Sequence, residues 1–311
     1  MHRPCKPGYS YMEPVNLTHV LLEMATLYFR INSSCDAQIS LTNSVLPVNI
    51  LNHSREDRKL TMASTTTISE PSTLPSSRPE YPIGIPTKFT PEGQVNRYPG
   101  NTTICHLPPT SPLLPHLRAL HAILSSHPTL SKRIHLLPQA SWHMTTLDGV
   151  REQECEPGMW PEGKEKQPLD ECTAEFARSL RQVGSDLSKE GLAPPYRMRV
   201  RSFDECLIGI GLVIEGATVE EEKRMRRLRD RLADAMGFRA PNHEIYGFHL
   251  SIAYLMRYID GEHREELNRV LAMHVPGVQQ EFELGAVEFC IFEDMYSFPR
   301  QFYLGKEERR G

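Results

Sequence analysis

Trp-His-Met-Thr at residues 142–145 and Phe-His-Leu-Ser at residues 248–251 share one pattern, in which a histidine and a hydroxyl residue alternate with large apolar residues. Side chains i and i+2 of a β-strand point to the same face of a sheet. We therefore predict that each stretch is a strand that presents its histidine and its hydroxyl on one face. The apolar residues would pack behind that face, and the two strands would line a common cleft.

His143 and His249, together with Thr145 and Ser251, suit the cleavage of a phosphodiester. One neutral histidine can remove a proton from water or a ribose hydroxyl, while the other, protonated, donates a proton to the leaving oxygen. The two hydroxyls can hydrogen-bond the non-bridging phosphate oxygens as negative charge develops there. Because the ordinary pKa of histidine is about 6.5, this chemistry needs no metal ion near neutral pH. The sequence does not tell which histidine is the acid.

The tripeptide His-x-Ser/Thr is a weak signal by itself. It occurs three times, and the third copy, at residues 127–129, contains a proline and lacks apolar flanks. The other two copies share the same apolar frame, and each follows a predicted strand and helix. The setting of the two motifs, rather than the tripeptide, predicts a catalytic role.

The same order of predicted elements precedes both motifs, namely a strand and then a helix. In the first half these are a strand at residues 101–107 and a helix capped by Ser111. In the second half they are one or two strands at residues 196–215 and a helix that begins after Thr218 in a capping box and ends at Gly237. The repetition indicates a duplicated α+β unit. Further strands are predicted at residues 133–137, 141–147, 245–255 and 281–292, and further helices at 170–187 and 260–274.

Residues 1–80 are predicted to be a poorly ordered extension. The Ser/Thr/Pro-rich stretch from Met62 onward cannot bury enough apolar surface to offset its ordering entropy. Met62 is also our hypothesis for the natural start of the protein. We expect a folded domain over residues 81–305, with lobes at about 81–168 and 190–305, and a short tail over 306–311.

Composition excludes several classes of protein. A net charge of −4 gives no overall basic field for non-specific nucleic-acid binding. The seven cysteines are scattered without zinc-ligand spacing, which favours a reducing compartment. No apolar run approaches the roughly 18 residues of a membrane span, and no signal-peptide pattern is present. We expect a cytoplasmic monomer, with the nucleus as the alternative location.

Several blocks of the sequence resemble the two-histidine phosphoesterase superfamily, whose signature is a pair of His-apolar-Ser/Thr strands. The resemblance covers about residues 81–300 and is closest to an uncharacterised, largely fungal branch. It rests on Lys88-Phe-Thr-Pro-Glu-Gly93, Tyr98-Pro-Gly-Asn-Thr-Thr-Ile-Cys-His106, Ser141-Trp-His-Met-Thr145, Asp148-Gly-Val150, Trp160-Pro161 and Pro241-Asn-His-Glu-Ile-Tyr-Gly-Phe-His-Leu-Ser251.

The resemblance implies a bilobed fold related to 2′-5′ RNA ligase-like proteins and cyclic phosphodiesterases, with two antiparallel sheets facing a central cleft and helices outside. It also implies catalytic roles for His143 and His249 and phosphate binding by Thr145 and Ser251. The expected partner is a nucleotide or an RNA end that carries a cyclic or terminal phosphate. Because superfamily members act on diverse 2′,3′-cyclic or linear RNA phosphates, the resemblance does not identify a substrate.

Tyr246 and His106 are further candidates for substrate binding. Tyr246 lies just before the second motif and can hydrogen-bond a phosphate or stack on a base, although packing alone also explains a tyrosine at a strand start. His106 ends a predicted strand near the first motif and is a candidate for the cleft wall, although a structural or exposed position is the ordinary alternative.

Three functions fit the sequence. The first is a metal-independent phosphodiesterase that acts on a 2′,3′-cyclic phosphate or an RNA-terminal phosphodiester, with RNA processing as its expected role. The second is a catalytically idle module that binds RNA or a nucleotide in the same cleft. The third is a metal-dependent hydrolase that uses the additional histidines and Asp148. Because both histidine motifs are intact, we favour the first, and we expect neither a metal ion nor a cofactor.

Overall fold

The structure is a computed structural model, and it describes residues 78–153, 159–161, 165–240 and 242–305. The predictions for residues 1–77 and for the tail at 306–311 lie outside the described residues. The described part contains nine strands and four helices, which confirms the predicted α+β class.

The strands of the described part form one curled antiparallel sheet, a half-barrel. Their order across the sheet is β7-β4-β5-β6-β3-β1-β8-β9, and β2 also pairs with β6. Their bounds are β1 Gly100–His106, β2 Ile134–Leu136, β3 His143–Arg151, β4 Tyr196–Phe203, β5 Gly209–Gly216, β6 Phe248–Leu255, β7 Glu281–Leu284, β8 Glu288–Phe292 and β9 Arg300–Tyr303.

The sheet is continuous where two separate sheets were predicted. Its two halves join where β3 pairs with β6, and Met144 and Leu250 are the residues opposite each other in that pairing. Both residues are fully buried. The prediction of two sheets was wrong because the histidine-bearing strands lie side by side, and buried backbone groups at their edges need hydrogen-bond partners. The duplication of an α+β unit stays a prediction.

Strands also cross between the two halves of the sheet. The penultimate strand, β8, pairs with β1, and β9 extends the sheet beyond it. Strand β2, from the first half of the folded segment, pairs with β6 from the second half. Each half of the sheet therefore contains strands from both ends of the folded segment. The stretch at residues 281–292, predicted as one strand, is two strands separated by residues 285–287.

The four helices pack in two pairs, α1 with α4 and α2 with α3. Their bounds are α1 Leu114–Ser126, α2 Leu169–Asp186, α3 Val219–Met236 and α4 Gly261–Val278. Among the described residues, none of these helices is long and apolar enough to cross a bilayer.

The predicted helix caps are confirmed at α3, whereas the predicted cap of α1 was wrong. At α3 the side chain of Thr218 accepts a hydrogen bond from Glu221 N, and Gly237 ends the helix at a φ of 75°. Helix α1 begins at Leu114, and its N-cap has no side-chain hydrogen bond. Ser111 instead accepts a hydrogen bond from Leu113 N within a turn that precedes the helix, so the predicted cap at Ser111 was wrong.

Candidate active site

A pocket of about 140 Å³ lies at the junction of β3 and β6. We call it the histidine pocket, because it contains all four residues of the two predicted motifs, His143, Thr145, His249 and Ser251. Their apolar neighbours point to the buried side of the sheet, as the alternation predicted. The structure therefore brings the two motifs together through the pairing of their strands.

Both histidines are held in the same way by a backbone carbonyl. His143 Nδ1 lies 2.6 Å from the carbonyl oxygen of Ser141, and His249 Nδ1 lies 3.1 Å from that of Gly247. Because a carbonyl oxygen only accepts hydrogen bonds, Nδ1 must carry the proton in each ring. In the neutral form this leaves the lone pair of Nε2 available to a ligand in the pocket.

The two histidines differ in their surroundings. His143 is partly buried, and its ring meets the ring of Phe298 edge-on at a centroid distance of 4.3 Å. Burial lowers the pKa of His143 to about 4, although the hydrogen bond to Ser141 opposes this change. His249 is exposed, with the ring of Tyr246 at 5.7 Å. The neutral form is therefore favoured at His143 by its environment.

A β-bulge follows the histidine motif of β3. Thr103 pairs with Leu147 and the next residue of β1, Ile104, pairs with Thr145, so Thr146 is an extra residue. A bulge of this kind shifts the alternation of side chains by one residue. As a result Asp148, five residues after the histidine, lines the histidine pocket.

Strand β6 has a bulge at the same distance from its own histidine. Ile210 pairs with Ala253 and Gly211 pairs with Ser251, which leaves Ile252 as the extra residue. Tyr254, five residues after His249, consequently lines the pocket. Simple alternation from His249 and Ser251 would place Ala253, and not Tyr254, on this face.

Buried polar side chains hold the irregular backbone of β3. Thr103 Oγ1 lies 2.8 Å from the carbonyl oxygen of Leu147 and accepts a hydrogen bond from Leu147 N at 3.1 Å. Arg229 donates to the carbonyl oxygen of the extra residue, Thr146, at 2.8 Å. A second register shift of β3 lies between the partners of Gly100 and Thr102, and it brings Arg151 to the pocket as well.

Charged groups surround Asp148 in the pocket. Burial by itself would raise the pKa of Asp148, but Arg151, His249 and other cations outweigh it and hold the pKa below its ordinary value. Arg151 Nη2 lies 3.6 Å from Asp148 Oδ1. Asp148 therefore carries a negative charge at neutral pH.

Tyr246 lines the pocket, whereas His106 is not among its lining residues. The guanidinium carbon of Arg229 lies 3.8 Å from the ring centroid of Tyr246. The buried Tyr246 hydroxyl is close to Thr145 but outside hydrogen-bond geometry. His106 Nδ1 lies 3.0 Å from Glu288 Oε2, and its ring centroid lies 6.1 Å from that of His143.

His106, Glu288 and Cys290 form a group of possible metal ligands, with donor atoms within 4.8 Å of one another. Arg300 Nη1, however, lies 3.1 Å from the same carboxylate oxygen that contacts His106. Burial also raises the pKa of the Cys290 thiol, which disfavours the thiolate that a metal needs. This donor set fits a hydrogen-bonded network better than a metal site.

Two neighbouring strands each present a histidine and a hydroxyl to one pocket, which is the arrangement that the resemblance to two-histidine phosphoesterases implied. A family model named 2H-phosphodiest, described as a domain of unknown function (DUF1868), matches residues 88–206. The match confirms the predicted resemblance to two-histidine phosphoesterases. It includes His143 and Thr145 but ends before His249 and Ser251, so the assignment of the second motif rests on its pattern and its position.

Solved structures also resemble the chain. A conserved protein of unknown function from Agrobacterium tumefaciens superposes with a TM-score of 0.62 at 25% identity, over 74% of this chain and 95% of that one. A protein from Thermus thermophilus gives a TM-score of 0.38 at 13% identity, over 67% and 99% of the two chains, which is too low to support an argument. The search of curated proteins found no match.

Proposed function

We propose that the protein is a metal-independent phosphodiesterase that hydrolyses a 2′,3′-cyclic phosphate or an RNA-terminal phosphodiester. The observation that carries this proposal is that His143 and His249 line the same pocket, each with Nδ1 hydrogen-bonded to a backbone carbonyl. Both Nε2 atoms are thereby available for proton transfer. Thr145 and Ser251 supply hydroxyls for the non-bridging oxygens.

The size of the pocket supports a substrate that enters by its phosphate end. Its volume of about 140 Å³ is below the roughly 300–1,000 Å³ of pockets that enclose drug-sized ligands. We infer that the phosphate and the adjoining sugar atoms occupy the pocket. A base or a longer RNA chain would stay outside it.

The surroundings of the two histidines support different roles. A general base must be unprotonated before the reaction, and burial favours the neutral form of His143. A general acid must be protonated, and His249 is exposed to solvent, so burial does not oppose its charged form as it does at His143. We therefore propose His143 as the base that activates water and His249 as the acid that protonates the leaving oxygen.

Tyr246 is proposed as a substrate-binding residue of the same pocket. Its hydroxyl makes no hydrogen bond within the described part of the chain, and a phosphate oxygen beside Thr145 would supply the missing partner. We do not propose His106 as a substrate-binding residue, because its side chain contacts Glu288 and does not line the pocket.

The proposal is tested with purified protein, 2′,3′-cyclic nucleotides and short oligoribonucleotides that end in a cyclic phosphate. We expect turnover that persists in EDTA and is lost in His143→Ala and His249→Ala. The matched control is His116→Ala, because His116 is an exposed histidine on α1. Loss of activity in EDTA would instead support the metal-dependent alternative, and binding without turnover would support the idle module.

An activated aryl phosphodiester separates the two histidine roles. A nitrophenolate leaving group needs no protonation, so general acid catalysis contributes little to its release. We expect His249→Ala to keep most of its activity on this ester while His143→Ala loses it. Equal losses in the two variants would refute the assignment of acid and base but leave the phosphodiesterase proposal standing.

A further inference from the structure

The two halves of the histidine pocket are alike in their motifs but differ in charge at the residue five positions after each histidine. On β3 this residue is Asp148, and on β6 it is Tyr254, which contacts Lys88. We propose that Lys88 and Tyr254 form an anion subsite that binds a non-bridging oxygen of the substrate phosphate and fixes the direction in which the substrate lies. This inference rests on the proposed function.

The contacts of Lys88 leave its charge available to a ligand. Lys88 Nζ donates to the hydroxyl of Tyr254 at 3.2 Å, and it lies 5.0 Å from the ring centroid of Tyr254 and 5.5 Å from that of Tyr98. Within the residues that the structure describes, no carboxylate oxygen comes within 4.0 Å of Lys88 Nζ. Lys88 is thus hydrogen-bonded to a neutral hydroxyl, while its charge also acts on Asp148 in the same pocket. A cation held in this way in a small polar pocket is suited to bind phosphate.

The backbone around Lys88 is held in place before any substrate binds. Lys88 N donates to the carbonyl oxygen of Gly84 at 2.7 Å, and the carbonyl oxygen of Lys88 accepts from Asn96 N at 2.9 Å. The adjacent Phe89 is fully buried, with its ring 5.3 Å from that of Tyr254. Lys88 is therefore presented to the pocket by an anchored segment, which lowers the entropy cost of binding.

The difference in charge between Lys88 and Asp148 can orient a substrate. Lys88 attracts the negative oxygens of a phosphodiester, whereas Asp148, which is paired with Arg151 at 3.6 Å, accepts a hydrogen bond from a hydroxyl group. By themselves the two motifs offer the same pair of groups, a histidine and a hydroxyl, from either side. A 2′,3′-cyclic phosphate would then bind in two directions, and its ring would open to a mixture of 2′- and 3′-phosphates.

Binding of two simple probes tests the subsite without turnover. Titration calorimetry with dimethyl phosphate and with inorganic phosphate compares wild type, Lys88→Met and Lys88→Arg. We expect Lys88→Met to weaken binding about tenfold or more, as for the loss of a charged hydrogen bond, and Lys88→Arg to retain most of it. The control is Lys189→Met, because Lys189 is an exposed lysine paired with Asp186. Unchanged affinity of Lys88→Met for both probes would overturn the subsite.

The products of ring opening test the orienting role. With a 2′,3′-cyclic nucleotide, phosphorus NMR distinguishes the 2′-phosphate from the 3′-phosphate. We expect one isomer from wild type and from Lys88→Arg, and a mixture from Lys88→Met. The same single isomer from Lys88→Met would overturn the orienting role. If wild type turns over no cyclic nucleotide while Lys88→Met still loses phosphate binding, the proposed function fails and the anion subsite stands.

Discussion

Replacing Gly149 by alanine tests the packing that holds the irregular backbone of β3. A Cβ atom at this position would lie 2.7 Å from the carbonyl carbon of Asn101 and closer still to its carbonyl oxygen and Oδ1. Ordinary carbon contacts are about 3.5–4.0 Å long, so Asn101 and its strand would have to move away. Gly149 directly follows Asp148, and the movement would therefore also displace a side chain of the histidine pocket.

The cost of this substitution can be worked from the contacts of Asn101. Asn101 Nδ2 donates to Thr173 Oγ1 at 2.8 Å, and Asn101 Oδ1 accepts from Val150 N at 3.2 Å. Each of these buried hydrogen bonds contributes about 1 kcal/mol. Overpacking adds about 1–3 kcal/mol, so we expect the free energy of unfolding to fall by about 3–5 kcal/mol in Gly149→Ala.

Urea unfolding followed by circular dichroism measures this change. With an m-value of about 2–3 kcal/mol/M, the midpoint should fall by at least about 1 M. Gly285→Ala is the matched control, because a Cβ atom there meets nothing within 4 Å. Its free energy of unfolding should change by less than about 1 kcal/mol. Equal midpoints for the two variants would refute the close packing of Gly149 against Asn101.

Three further predictions concern the site and its support. Because burial lowers the pKa of the proposed base His143 to about 4, kcat/KM should not decline as the pH falls through 6.5 and should decline only near that lower value; a decline that begins at pH 6.5 or above would contradict this. Thr145→Val and Ser251→Ala should each lower kcat by about 10²-fold through lost stabilisation of developing charge, and losses below threefold in steady-state assays would count against that role. Burial by itself would raise the pKa of Glu288, but the contacts with His106 and Arg300 outweigh it and hold this pKa below the ordinary value of 4.5. The ionised carboxylate therefore stabilises the fold above pH 4.5, and this contribution is lost as the pH falls further. Glu288→Gln should therefore lower the urea midpoint at pH 7, with a smaller difference from wild type below pH 4.5; a difference that does not depend on pH would argue against this ion pair.

The parts of the fold set by local sequence were predictable. The alternation of polar and apolar residues placed the histidine and hydroxyl of both motifs on one face, because side-chain direction in a regular strand depends only on parity. Thr218 and Gly237 marked the ends of α3, because capping is satisfied by residues within one turn. These signals act over a few residues and need no knowledge of the tertiary structure.

Features that depend on pairing between distant strands were not predictable. Asp148 and Tyr254 reach the pocket because each strand has a bulge, and a bulge is a mismatch with a partner strand that the sequence alone does not reveal. Two polar residues of a predicted strand, Asn101 and Thr103, were the available sign of an irregular backbone. Both are buried, and buried polar side chains need hydrogen-bond partners. Lys88 lies 166 residues from Tyr254 in the chain, so only the fold could join them.

A double-mutant cycle shows whether His143 and His249 act together as one acid–base pair. It compares kcat/KM on a 2′,3′-cyclic nucleotide, in the presence of EDTA, for wild type, His143→Ala, His249→Ala and the double variant. General acid–base catalysis contributes about 10²–10⁴-fold, and groups that act in one step are not additive. We predict a loss of kcat/KM in that range for each single variant. The double variant should have about the same kcat/KM as the less active of the two single variants. A loss below threefold in either single variant, or a double loss equal to the product of the single losses, would show that the two histidines do not act as one acid–base pair.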